Sequence, residues 1–161
     1  MIFFIGCGYK PSGIYQDRII GDRVKTIVHI DPSSPREDIF FKDALNDSVY
    51  TILDKRLCFD SNCDTKLEIV SNSSHLTPID YDENGFPIAY RADVVLRVKV
   101  VDKHKKVRFY SSSGSYDFRV TDDSVITDEA KLNAIKEASV NALRELFAKI
   151  TKDGIEYEAK R

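Results

Sequence analysis

The stretch Ile88–Val100, IAYRADVVLRVKV, decides the fold. Ile88, Tyr90, Ala92, Val94, Leu96, Val98 and Val100 fall on one phase of a period of two, and Arg91, Asp93, Arg97 and Lys99 on the other. Strict alternation over this length describes a strand with one face covered and the other wet or facing a partner. A sheet of this kind needs a second layer to cover it, so the flanking sequence should supply helices.

On the N-terminal side, YDENGFP carries turn chemistry centred on Asn84-Gly85. TKLEIVSNSSHLTPI before it reads as a weaker strand, with Leu67 and Ile69 in phase and then a polar patch where register is poorly specified. Further upstream, DPSSPRED starts a helix: Ser34 is placed to cap, Pro35 suits the first helical position and Glu37 completes a capping-box spacing. Phe41, Ala44, Leu45, Val49, Ile52 and Leu53 then recur at helical intervals, and Lys42, Asp43, Asp47, Asp54 and Lys55 face away. RVKTIVHI precedes this helix as a strand with Val24, Thr26, Val28 and Ile30 in phase.

On the C-terminal side, VDKHKK is a polar turn into VRFYSSSGSYDFRV. The apolar phase there begins on odd positions, Val107 and Phe109, and resumes on even ones, Tyr116, Phe118 and Val120. That slip predicts a bulge or bend at Gly114. The closing segment from Thr127 places Leu132, Ile135, Ala142, Leu143, Leu146, Phe147 and Ile150 in a helical stripe, with Gly154 as its expected stop. The order β-α-β-β-β-α predicts an α+β two-layer sandwich, a four-stranded mixed sheet with two amphipathic helices on one face. The expected organisation is a signal-peptide remnant at 1–6, a lipidated segment at 7–22, one α+β domain at 23–154 and a tail at 155–161.

The chain has 161 residues, 42% of them hydrophobic and 31% charged, as expected of one globular domain. A net charge of -2 supplies no bulk basic field, and nucleic acid is not an expected partner. No apolar run approaches the ~20 residues of a membrane-spanning helix. The histidines His29, His75 and His104 are scattered over a strand, a polar patch and a turn. GCGYKPSG lacks a phosphate-loop pattern, and SSSGS lacks a nucleophile elbow. No catalytic residue, metal or cofactor is expected, and a small hydrolase stays the weakest reading.

Arg97, Lys99, Lys103, Lys105, Lys106 and Arg108 gather around the last hairpin, with only Asp102 to offset them. As a group they suit a phosphorylated or carboxylated ligand. Singly, each reads better as a solubilising residue that discourages edge pairing. Cys58 and Cys63 are close enough to bridge across LCFDSNCD if Cys7 is otherwise consumed, and reduced thiols remain the alternative. Their spacing is not that of a zinc site.

The opening, MIFFIGCGYKPSG, places Gly6 before Cys7 after a short apolar run, like the end of a lipoprotein signal peptide. Phe4 stands where leucine is commonest and Ile5 is bulkier than usual, and the competing reading tucks Ile2–Ile5 into a cytosolic core. With CGYKPSG following an apolar leader, and with this order of elements, the sequence resembles the LPS-assembly lipoprotein family, LptE. The resemblance implies a lipid-anchored protein on the periplasmic face of the outer membrane, non-enzymatic, lipidated at Cys7. It implies a plug inside the large β-barrel that inserts lipopolysaccharide, assistance to that barrel's assembly, and lipopolysaccharide binding. Gly8 is compatible with outer-membrane sorting. An adaptor or ligand-binding lipoprotein of the periplasm without a lipopolysaccharide role is the alternative.

Overall fold

The computed structural model describes residues 19–29, 35–120 and 126–159, with the side chains of 35–40, 70–72 and 157–159 left aside. Cys7 and the whole opening, Ile30 and Ser34 lie outside the described residues, as does the Glu37 side chain. The elements are β1 (Val24–His29), α1 (Pro35–Leu53), a 3₁₀ turn (Asp54–Arg56), β2 (Thr65–Tyr81), β3 (Pro87–Val101), β4 (Val107–Arg119) and α2 (Asp128–Ala159). The sheet runs β1-β2-β3-β4, with β1 parallel to β2 and the other pairs antiparallel. This is the expected α+β sandwich with a mixed four-stranded sheet.

The alternation in β3 sets the layers. Ala92, Val94, Leu96, Val98 and Val100 are all buried, and they join Leu67 and Ile69 of β2 with Phe41, Leu45 and Val49 of α1 and Leu143, Leu146 and Ile150 of α2 in one core. Burying aliphatic side chains of this size contributes about 1.5–3 kcal/mol each. Both helices therefore cover the same sheet face. Ser48 is buried within α1, where its hydroxyl bonds the Ala44 carbonyl at 2.7 Å and reaches the Lys136 carbonyl of α2 at 3.0 Å.

The polar middle of β2 has the weak register its sequence suggests: pairing with β3 shifts between Ser71 and Ser73, and again between Pro78 and Tyr81. The expected bulge at Gly114 is absent. β4 pairs with β3 without a shift from Val107 to Arg119, and Gly114 lies opposite Val94. A Cβ there would sit 2.2 Å from the Ala138 carbonyl oxygen and 2.3 Å from the Ala142 nitrogen, so this glycine lets α2 approach the strand. The phase does not slip: even positions of β4 face the helix throughout, and Val107 and Phe109 are exposed on the open face.

Two helix ends also differ from expectation. α1 stops at Leu53 and tightens into the 3₁₀ turn, where Asp54 takes a positive φ of 34°. α2 does not stop at Gly154 but continues to Ala159. A glycine inside a helix costs only about 1 kcal/mol relative to alanine, and Gly154 is buried here. Just before it, Asp153 anchors the helix to β4 by accepting the Tyr110 hydroxyl at 2.8 Å.

Candidate functional site

The two hairpin turns are built alike. In each, an aspartate carboxylate accepts two main-chain N–H groups: Asp82 from Asn84 and Phe86 at 2.9 and 2.8 Å, Asp102 from His104 and Lys106 at 2.9 Å each. The fourth position takes a positive φ, 84° at Gly85 and 62° at Lys105. Glycine meets that requirement freely; lysine does not.

Asp102 is thus a buried turn residue, only 2% exposed, and not a surface counter-charge. The six basic residues expected to act together are divided by strand parity. Arg108 lies on the covered face, 3.6 Å from Asp102 and 3.9 Å from Asp153, and is a structural residue. Lys99 lies on the open face, where Glu68 bridges it to Lys66 at 3.1 and 2.5 Å. Hydrogen bonding by Lys66, then by Lys99, holds the Glu68 carboxyl down at about 2. Arg97 is exposed further along β3, opposite Ser111. Lys103, Lys105 and Lys106 occupy the exposed turn.

Other residues join this turn that the sequence did not nominate. Because β1 and β2 are parallel, their N-terminal ends lie together, Val24 opposite Thr65, and Lys66 pairs with Val101 beside the turn. Lys25, Lys66 and Lys105 line a cavity of about 210 Å³ that Asp60 and Asp64 also reach. Both carboxylates are engaged by Arg23: its side chain meets Asp60 at 2.7 Å, and its main-chain N–H donates to Asp64 at 3.1 Å. The Arg23 hydrogen bond keeps the Asp60 carboxyl below its ordinary range. Lys66 is in turn paired with Glu68, so it is Lys25 and Lys105, beside the exposed Lys103 and Lys106 of the turn, that suit this end of the sheet to an anionic group.

The cysteine pair sits at the same end. Cys58 and Cys63 are joined by a disulfide, and the loop they close packs on the start of β1 through the Cys58 N–H to Val24 carbonyl bond of 2.9 Å. Cys58, Asp60 and Cys63 cluster closely enough to suggest a metal site, but a disulfide leaves no thiolate to ligate.

The opposite end carries a different surface. Tyr81 and Phe86 at the β2–β3 tip are 54% and 57% exposed, whereas Phe109, 77% exposed on the open face, pairs with Lys99 and lies at the basic end. Along the β4 edge, α2 closes the middle: Glu145 accepts the Ser113 N–H at 2.5 Å, while Asn141 and Lys149 donate to the Ser115 and Ser111 carbonyls at 2.9 and 2.6 Å. Covering unpaired main-chain groups in this way protects an edge strand.

Among solved structures, the chain is similar to a candidate lipoprotein from Caulobacter crescentus at 13% identity and a TM-score of 0.55, covering 92% of this chain and 98% of that one. That likeness shows the fold. Rare lipoprotein B from Shewanella oneidensis is similar at 10% identity and 0.47, covering 84% and 97%. Lipoprotein B from Nitrosomonas europaea is similar at 14% and 0.45, covering 93% and 96%. No curated protein matches the sequence. The LptE lipopolysaccharide-assembly family model matches residues 25–150, a span that takes in β1 from its second residue, α1, the three following strands with the basic turn, and α2 as far as Ile150. The chain belongs to the LptE family of lipopolysaccharide-assembly proteins.

Proposed function

We propose that this chain is a non-catalytic, outer-membrane lipoprotein that docks in the lipopolysaccharide-inserting β-barrel, assists its assembly and binds lipopolysaccharide at the basic end of its sheet. The lipid anchor is placed on Cys7, with residues 7–22 leading from it to one α+β domain. Acyl chains there, at about 0.8 kcal/mol per buried methylene, hold the domain at the bilayer without spanning it. The family match over residues 25–150 carries the reading.

The local chemistry supports it in two respects. Lys25, Lys66 and Lys105 line one recess at the turn that also presents Lys103 and Lys106, which suits the phosphates of a glycolipid. The exposed Tyr81 and Phe86 at one tip, and the exposed Phe109 beside Lys99 at the other end of the open face, give separate apolar contact points for a barrel wall.

The test is lipopolysaccharide binding by the purified chain and by the triple variant Lys103→Glu, Lys105→Glu, Lys106→Glu. The expected result is a loss of about tenfold or more in affinity, at 1.4 kcal/mol per tenfold, with wild-type binding weakening as salt rises. Unaltered affinity in the triple variant would refute the basic-end site.

A further inference from the structure

The loop closed by the Cys58–Cys63 disulfide holds one aromatic ring out in water. Cys58 is buried and its main-chain N–H donates to the Val24 carbonyl at 2.9 Å, Cys63 lines the lysine recess, and between them Phe59 is 73% exposed. Its ring lies against Tyr50 of α1, itself 54% exposed, with centroids 6.5 Å apart and planes at 28°. With both ends of the loop tied, folding Phe59 back onto the core would break these contacts.

Size, position and charge say what covers these rings. Two partly exposed rings of roughly 150–250 Å² each, set among the exposed Asp54, Lys55, Asp60, Ser61 and Asn62, fall well short of the about 800 Å² per partner of a standard protein interface. Aromatic side chains among charges do suit the headgroup layer of a bilayer. The chain also enters the fold beside this loop. Arg56 Nη2 donates to the carbonyls of Ile20 and Gly21 at 3.3 and 2.9 Å, and Thr65 Oγ1 accepts the Gly21 N–H at 3.0 Å. Ile19 follows Cys7 by twelve positions, which reach at most about 43 Å when extended. Behind the loop, Arg23, Lys25 and Lys105 stand against Asp60 and Asp64, with Arg23 bonded to Asp60 by its side chain and to Asp64 by its main chain. That wall is weakly cationic and favours an anionic leaflet.

We infer that Phe59, backed by Tyr50, inserts into the headgroup layer of a phospholipid bilayer and seats the basic end of the sheet against an anionic leaflet. The inference rests on the proposed function only for the anchor on Cys7, which sets where the bilayer lies, and not on lipopolysaccharide. In this orientation β2 carries Tyr81 away from the bilayer by the length of the strand from Thr65, about 50 Å. The disulfide has a positioning role: it keeps the ring at the front of the lysine recess.

The sequence has no tryptophan, so Phe59→Trp puts a single fluorophore on the loop. The experiment mixes the full chain carrying this change, expressed without lipidation, with vesicles of phosphatidylethanolamine and phosphatidylglycerol free of lipopolysaccharide. Tryptophan emission and its quenching by brominated acyl chains are read together. A saturable blue shift with quenching is expected, weaker in pure phosphatidylcholine vesicles and at raised salt. Phe86→Trp, at a ring 57% exposed on the other tip, should show neither change. Phe59→Ser should lower co-sedimentation affinity for the anionic vesicles by about tenfold through lost apolar burial, and its urea midpoint should stay that of the wild type. No shift at position 59, an equal shift at position 86, or a shift produced by the purified barrel protein and not by vesicles would overturn the proposal. The lipopolysaccharide titration uses no vesicles, so a failure here and a failure there are distinguishable.

Discussion

Replacing Gly114 with alanine should be among the most damaging single-methyl changes in this protein. The added Cβ would lie 2.2 Å from the Ala138 oxygen and 2.3 Å from the Ala142 nitrogen, whereas ordinary contact begins near 3.4 Å. Both opposing atoms belong to helix main chain and cannot swing aside, so α2 has to lift from β4 by about 1 Å. Overpacking of this kind costs about 1–3 kcal/mol. The lift also stretches the bonds from Glu145, Asn141 and Lys149 to the β4 main chain, now 2.5–2.9 Å long, beyond good hydrogen-bond length. Water competes at that edge, so these bonds add only at the low end of about 0.5–1.5 kcal/mol each. A total of about 2.5–4.5 kcal/mol follows, a large share of the 5–15 kcal/mol that domains typically possess. Urea unfolding followed by far-ultraviolet circular dichroism should show a lower midpoint with an unchanged slope. Gly85→Ala is the control, because its φ of 84° strains the backbone but nothing lies within 4 Å of the added carbon. That change should cost about 1–2 kcal/mol. If Gly114→Ala is no more destabilising than Gly85→Ala, the close-approach argument is refuted.

Lys105→Gly should stabilise the fold by about 1 kcal/mol, since it relieves a φ of 62° in a turn of the same design as the one containing Gly85. A lower midpoint in urea would sink the idea that lysine is strained there. Changing both Cys58 and Cys63 to serine opens a short loop and should cost about 2 kcal/mol, measurable as a reduced melting temperature; no change would mean that the loop is held by its other bonds. Glu145 gives a pH signature. Its carboxyl is held below the ordinary value of 4.5, chiefly by the Ser113 N–H and then by Lys149. A depressed folded-state value means that the closure of the β4 edge is fully present above about pH 4.5 and is lost as pH falls through the folded value. Amide exchange at Ser113, corrected for intrinsic rate, should therefore accelerate in that acidic range in the wild type, and this step should be missing in Glu145→Gln. Matching profiles in the two proteins would contradict the assignment.

The alternation of β3 was legible because its side chains sample only two environments, core and open face. The amphipathic helices were legible for the same reason. Gly114 was misread because a strand records its neighbours in sequence order, while the cause lay in Ala138 and Ala142 of a helix more than twenty residues away. Arg108 pairs with Val100, a core position of β3, so its side chain had to turn beneath α2 toward Asp102 and Asp153. Lys25 and Lys66 left no local signal of their role, because only the parallel pairing of β1 with β2 brings them beside Lys105. Asp102 in turn looked like a free charge, although its spacing to His104 and Lys106 repeats that of Asp82 to Asn84 and Phe86.

The most direct test of the central claim is affinity purification of the chain, expressed at its native level, from detergent-solubilised envelope membranes, with intact-mass analysis of everything that co-elutes. The expected outcome is a near-equimolar complex with the lipopolysaccharide-inserting barrel, with the chain itself carrying a lipid on Cys7. Recovery of an unmodified chain from the soluble fraction, with no barrel attached, would contradict it.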